Sequence, residues 1–255
     1  MAEIRVAVEA RKEGRVATLT VDNRAKLNIL DRPLIDEFAR VVSELGGDDA
    51  LRVIVVRGEG ERAFIGGADI RTLATLDQVS ARGFITALHR AADSLRRLPV
   101  PVIARISGYA LGAGLEIAAA CDLRVAAKDA KFGMPEVKVG IPSVIEAALL
   151  PQLIGWGRTR RLLYTGETIG AAEAASWGLV ERVVPPGELD AAVESWIAQI
   201  LAVGPRAIRI QKILIREWED LATSAAIERG IGALADAYAT PEPKERMAQF
   251  LNRKR

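Results

Sequence analysis

Residues 101–122 read PVIARISGYALGAGLEIAAACD, and this stretch limits the folds open to the chain more than any other. The apolar run 102–106 reads as a buried strand. Ser107 and Gly108 end it, Gly112, Ala113 and Gly114 follow, and a helix-like run then carries a single acid, Glu116. Small residues in a strand-to-helix turn let the backbone approach a ligand closely, and the first N–H groups of the helix lack internal partners. An anion or a developing oxyanion fits there, with Glu116 on the first helical turn facing it. No other residue in the run 110–120 is charged, and an ionised carboxylate buried without a partner is costly.

The rest of the chain supplies strands and helices for that turn to sit among. Residues 4–8 and 16–21 alternate like two strands around Lys12, Glu13 and Gly14, which predicts an N-terminal hairpin. A loop at 23–28 carries Arg24 and Lys26; by itself it reads as solvated, the alternative being a pair of cations for a phosphate. Residues 33–45 have helical spacing, with Asp31 and Pro33 as start signals and Gly46 and Gly47 as the stop. The continuous apolar run 53–56 predicts a strand covered on both faces, and it leads to a second glycine turn at Gly66 and Gly67. Residues 73–98 are helical in character with a break expected near Gly83, and Pro99 and Pro101 close them. Short strands are expected at 123–126 and 180–184, short helices at 145–153, 158–164 and 171–177, and longer helices from 189 to the end. Strand, strand, helix recurs about three times before residue 130, which predicts an α/β architecture.

Composition excludes more than it suggests. A chain of 255 residues with 50% hydrophobic content buries a sizeable core as one large domain. Lys plus Arg at 35 against Asp plus Glu at 33 gives +2, too balanced to predict a nucleic-acid or membrane partner. Cys121 is the only cysteine, so neither an intrachain disulfide framework nor a Cys-based zinc site is open to the chain, and a reducing compartment is the simpler reading. Met1 leads directly into the first alternating strand and no apolar run approaches the ~20 residues of a membrane span, so a cytoplasmic protein is expected.

Among chemistries, Gly108, Gly112 and Gly114 fit neither the dinucleotide nor the P-loop glycine spacing. A serine hydrolase needs a base for its serine, yet His89 is the only histidine, G-x-S-x-G is absent, and its helical surroundings read as a packed or surface position. No metal-ligand spacing is present, and no metal is expected. What remains is carboxylate acid/base chemistry beside backbone donors. Glu116 and Glu136 are its candidates, because two carboxyls sharing a partly dry site split their apparent pKa values and let one hold a proton while the other accepts one.

Three segments in this order, FIGGADI at 64–70, SGYALGAGLE at 107–116 and AKFGMPEV at 130–137, resemble the crotonase, or enoyl-CoA hydratase/isomerase, family. The likeness runs from the loop 23–28 through WGLV at 177–180 to ERMAQFL at 245–251, nearly the whole chain. It implies an α/β superhelix of ββα turns over residues 1–186, with residues 187–255 as a C-terminal helical region that builds a trimer, often paired into a hexamer. It implies a CoA thioester as substrate and no separate cofactor. By the resemblance, the backbone N–H groups of Ala68 and Ala113 form an oxyanion hole, Glu116 activates water, and Glu136 delivers a proton. Arg24, Lys26 and Arg71 face the CoA phosphates, with Leu27, Gly66, Asp69, Ile70, Leu111 and Gly112 along the bound thioester. Phe250 and Arg253 contact the nucleotide of CoA on a neighbouring subunit. Both glutamates together favour a hydratase; the alternatives are another acyl-CoA enzyme on the same scaffold (isomerase, decarboxylase, hydrolase or lyase) or a non-catalytic acyl-CoA-binding subunit.

One departure stands beside the site. Where the family commonly continues with a glycine-rich run, this chain reads Ser143, Val144, Ile145, Glu146. Glu146 there reads as a first-turn acid of a helix beginning at that point, the alternative being a third acid of the site.

Overall fold

The computed structural model describes residues 2–252. The N-terminal alternation forms the expected hairpin: β1 (Glu3–Arg11) and β2 (Gly14–Asp22) pair antiparallel with Arg11 opposite Gly14. Helix α1 (Arg32–Gly46) begins where Asp31 accepts a hydrogen bond from the Leu34 N–H, and it buries Leu34, Ile35, Phe38, Val41 and Val42 along one stripe. The apolar run 53–56 lies in β3 (Leu51–Gly58), buried as a strand covered on both faces must be.

From there the chain swings between two sheets. β3 is followed by the short β4 (Ala63–Ile65), then helices α2 (Ile70–Leu73) and α3 (Gln78–Arg97). β5 (Val102–Ile106) is followed by β6 (Tyr109–Leu111) and α4 (Ala113–Ala120); β7 (Leu123–Ala127) is followed by β8 (Lys131–Gly133). The first strand of each pair joins a large sheet ordered β1-β2-β3-β5-β7 and closed by β10 (Arg182–Val184). The second joins a small sheet β4-β6-β8, whose outer strand β9 (Thr168–Gly170) pairs antiparallel to β8. β3, β5 and β7 run parallel to one another, as do β4, β6 and β8, so each ββα turn stacks on the last as a superhelix. The main core fills the space between sheets and helices around Phe38, Phe64 and Phe132, all fully buried; burial of each such ring stabilises by ~1.5–3 kcal/mol.

Two expectations need correction. Gly83 does not break a helix: α3 runs unbroken through it, and the interruption falls earlier, at residues 74–77. Asp77 and Ser80 form a reciprocal capping box that starts α3 there. A mid-helix glycine costs about 1 kcal/mol, and the buried stripe of Phe84, Leu88, Ala91, Ala92 and Leu95 outweighs it. Secondly, the segment expected as a helix from 145 opens as a 3-10 turn, Ile145–Leu149, before α5 (Leu150–Thr165), itself kinked at Gly155.

Helix α6 (Ala171–Trp177) leads to β10, and α7 (Leu189–Ala202) covers the outer face of the large sheet through Leu189, Val193, Ile197 and Leu201. Beyond it, α8 (Pro205–Asp220), α9 (Thr223–Ala237) and α10 (Glu242–Asn252) bury few side chains. On α9, Ile227, Ile231 and Leu234 share a face at helical spacing that the cap residue Tyr238 continues, with Ile231 62% exposed.

Candidate active site

Each glycine turn sits where the chain leaves the small sheet. Gly112 follows β6 at φ 51°, ψ −119°, a conformation that favours glycine, and its N–H donates to the Gly133 carbonyl of β8 at 2.9 Å. That bond spends the Gly112 donor and leaves Ala113, the first residue of α4, to point its N–H outward; among the described residues it has no partner. After β4, Gly66 donates to Leu27, Leu30 donates to Gly67, and Asp69 donates to Leu30. These bonds hold the turn while the Ala68 N–H between them is likewise without a partner among the described residues.

Ala68, Ala113, Glu116 and Glu136 line one cavity of about 200 Å³, together with Gly66, Ile70, Leu111 and Gly112. Leu73, Phe84, Ile85 and Leu88 make its apolar wall, and the segment 138–144 closes the other side. The resemblance implied these eight polar and turn residues from three separate stretches of sequence; the fold brings all of them together.

The two carboxyls have different surroundings. Glu116 is 4% exposed on α4, whose C-terminal end is tied down by the buried Arg124 guanidinium donating to the carbonyls of Cys121 and Ala118. Burial first, then the charges of Glu136 and Glu146, push the Glu116 carboxyl up to about 9; the Ala147 N–H beside it pulls partly the other way. Glu136 is half-buried at the start of the 3-10 turn Pro135–Val139 and accepts a hydrogen bond from the Ser143 hydroxyl at 2.8 Å. The environments therefore favour a proton on Glu116 while a donor faces the Glu136 carboxylate.

The Ser143–Glu146 departure is where sequence reasoning missed most. Ser143 is the hydroxyl partner of Glu136. Glu146 is in the first turn of its 3-10 helix but makes no cap hydrogen bond; its side chain turns inward, 3% exposed, and Oε1 meets His89 Nδ1 at 2.8 Å. The first-turn position is as expected and the exposed capping role is not, because the backbone reverses at Ile145, φ 41°, just before it. His89, on the outer side of α3, is a half-exposed hydrogen-bond partner of Glu146. No local pattern signals that pair, since the two residues are 57 apart in sequence.

Residues 11–255 match the family model described as enoyl-CoA hydratase/isomerase. The chain belongs to that family. It is 35% identical to a crotonyl-CoA hydratase of Syntrophomonas wolfei over 249 residues, 96% of this chain and 94% of that one. It is 32% identical to a short-chain-enoyl-CoA hydratase of Clostridium acetobutylicum over 245 residues, with the same coverage of each chain. Its fold superposes on the crystal structure of an enoyl-CoA hydratase from Bacillus anthracis with a TM-score of 0.91 at 30% identity, covering 97% of this chain and 96% of that one.

The remaining residues implied by the family resemblance lie around the cavity or away from it. Arg24 and Lys26 are exposed on a 3-10 turn, and Leu27 follows it in the left-handed region at φ 58°. That loop is fixed by Asn28, whose buried side-chain amide donates to the carbonyls of Glu59 and Ala63. Asp69 caps α2 by accepting from the Arg71 N–H, and the Arg71 side chain is exposed. Phe250 lies on α10 in a different cavity, with Tyr238 and Met247, and does not reach Glu116 within one chain. Arg253 lies outside the described residues. Among the described residues, no group of His, Cys, Asp and Glu is placed to hold a metal ion, and no helix is long and apolar enough to cross a membrane.

Proposed function

We propose that this protein is an enoyl-CoA hydratase, adding water across the α,β double bond of an enoyl-CoA thioester. The observation that carries the reading is the meeting of Glu116 and Glu136 in one cavity with the N–H groups of Ala68 and Ala113, which have no partner among the described residues. The thioester oxygen accepts from both N–H groups, which hold the negative charge of the enolate as the oxygen of water bonds to the β-carbon. Donors of this kind are worth ~3–4 kcal/mol each in enzymes where one was removed. For hydration, Glu116 as the carboxylate takes a proton from water and Glu136 gives one to the α-carbon; dehydration exchanges the roles. Burial favours the proton on Glu116, the form in which it gives a proton to the leaving hydroxyl in dehydration.

In the same reading, Arg24, Lys26 and Arg71 hold the CoA phosphates, Leu27, Asp69 and Ile70 flank the thioester arm, and the acyl chain lies against Leu73, Phe84, Ile85 and Leu88. CoA is part of the substrate and the reaction needs no cofactor. The exposed apolar face of α9 is covered by further copies of the chain in a trimer or a pair of trimers, which brings Phe250 and Arg253 of one subunit to the CoA of another.

Incubation with a panel of enoyl-CoA thioesters, with loss of the conjugated absorbance and product masses recorded, tests the reading. Gain of one water, abolished by orders of magnitude in Glu116→Gln and Glu136→Gln, is the expected result. Unchanged mass with a moved double bond means isomerisation instead, and no turnover of any thioester leaves an acyl-CoA-binding protein.

A further inference from the structure

Two walls of the active-site cavity come from distant parts of the chain. Helix α3 gives Phe84, Ile85 and Leu88, and the segment before α5 gives Ile141 and Val144. The cavity between them is about 200 Å³, below the ~300–1,000 Å³ usual for a small-molecule pocket. That leaves room for a short acyl chain.

Past each wall the chain runs into one hydrogen bond. Ile85 and His89 are four residues apart on α3, so His89 follows Ile85 on the same face one turn along. On the other wall the Ala147 N–H donates to the Val144 carbonyl at 2.9 Å, which ties Val144 to the 3-10 turn Ile145–Leu149 that packs on α3. His89 Nδ1 and Glu146 Oε1 meet between the two at 2.8 Å. Neither residue is among those that line the cavity; the pair joins its walls just past Ile85 and Val144.

Stability does not account for that bond. Glu146 is 3% exposed and its Oε2 has no hydrogen-bond partner among the described residues, which makes its burial unfavourable. Ile145 before it is β-branched and takes φ 41°, a strained conformation. A first-turn acid left in water would avoid both costs. His89 is half-exposed, so the pair is also the last layer between the buried turn and solvent.

We propose that the hydrogen bond between His89 and Glu146 sets the acyl chain length this cavity takes: it latches α3 to the 3-10 turn, shuts the end of the cavity formed by Ile85 and Val144, and limits the ligand to short-chain acyl-CoA thioesters. A longer alkyl chain has to part the two side chains, which leaves Glu146 wholly unpartnered in apolar surroundings. The role in turnover rests on the hydratase reading; the limit on binding does not.

Binding of butyryl-CoA and decanoyl-CoA, saturated thioesters that cannot be hydrated, is measured by calorimetry on the full chain. The wild type is expected to bind butyryl-CoA at least as tightly as decanoyl-CoA, against the trend of apolar burial. In His89→Ala the decanoyl-to-butyryl affinity ratio rises about tenfold or more, and the ratio of kcat/KM for decenoyl-CoA over crotonyl-CoA rises with it. Glu146→Ala gives the same shift. Glu146→Gln, which keeps the side-chain length and a hydrogen-bonding end for His89, stays near the wild type. A merely structural bond would lower stability and weaken both ligands together, leaving the ratios unmoved. Melting temperatures check the fold, and His89→Ala, at an exposed helix position, decides the matter should Glu146→Ala not fold. A wild type that prefers decanoyl-CoA, or an unmoved ratio in His89→Ala, overturns the proposal. If the binding ratios behave as expected and no thioester is hydrated, the hydratase reading falls and the latch stands; a wild type that binds neither thioester overturns both.

Discussion

The Glu136 carboxylate packs directly on the α-carbon of Gly112, so a methyl group at that position overlaps Oε1. Gly112 thus does two things at once: it takes a backbone conformation that L side chains avoid, and it leaves the space in which the second acid lies.

Gly112→Ala therefore displaces Glu136 and strains the turn that presents the Ala113 N–H. A loss of hydration of at least about 100-fold is expected, as for a donor removed from an oxyanion hole, with a stability loss of about 1–3 kcal/mol. Steady-state rates and denaturant melts measure the two effects separately.

Gly83→Ala gives the opposite outcome from the same substitution. Gly83 lies inside α3 with open space where the methyl goes, so a gain of about 0.5–1 kcal/mol is expected with unchanged kcat/KM.

Ser143→Ala removes the hydroxyl that donates to Glu136. A hydrogen bond to a charged group contributes about 1.5–3 kcal/mol, so a loss in kcat on the order of tenfold or more is expected with little change in KM. An equal rise in KM with kcat intact contradicts the orienting role.

Glu116 makes stability depend on pH. Burial pushes its carboxyl up to about 9 in the folded chain from the ordinary 4.5, so between those limits the native state holds more protons than the unfolded one. The stability linked to that proton is fully present below the unfolded value and is lost as pH rises through the folded one. Glu116→Gln abolishes this slope. Melting curves of the two proteins are expected to lie closest near pH 5 and to diverge towards pH 8.5, with the glutamine variant gaining on the wild type as pH rises.

Ile231→Asp places a charge in the middle of the apolar face of α9. Sedimentation is expected to show the variant shifted from trimer or hexamer towards single chains, while the wild type stays assembled; a single-chain wild type contradicts the assembly.

How much of this the chain discloses in advance differs residue by residue. Glu116 stands out because it is the only charge between residues 110 and 120, so its burial follows from composition alone. The role proposed for Ala68 and Ala113 rests on backbone N–H groups, which no side-chain pattern encodes; only the order of the three motifs points to them. The strands β6 and β9 span only 109–111 and 168–170, too short to display a period of two. Gly83 misleads because tertiary packing of α3 overrides local propensity. Ser143 and Glu146 are visible as a departure from the glycine-rich family pattern, yet their partners Glu136 and His89 are fixed by tertiary packing, the turn at Glu146 lying on α3 and α4 and the turn at Glu136 on α5.

The N–H groups of Ala68 and Ala113, without partners among the described residues, follow β4 and β6, which are hydrogen-bonded neighbours in the small sheet. Their separation is thus inherited from adjacent parallel strands, whose spacing of ~4.8 Å varies little. In the proposed reaction the pair works as a fixed gauge: a thioester oxygen meets two donors already set by the sheet, so the ordering entropy of the hole is spent when the chain folds rather than in each turnover.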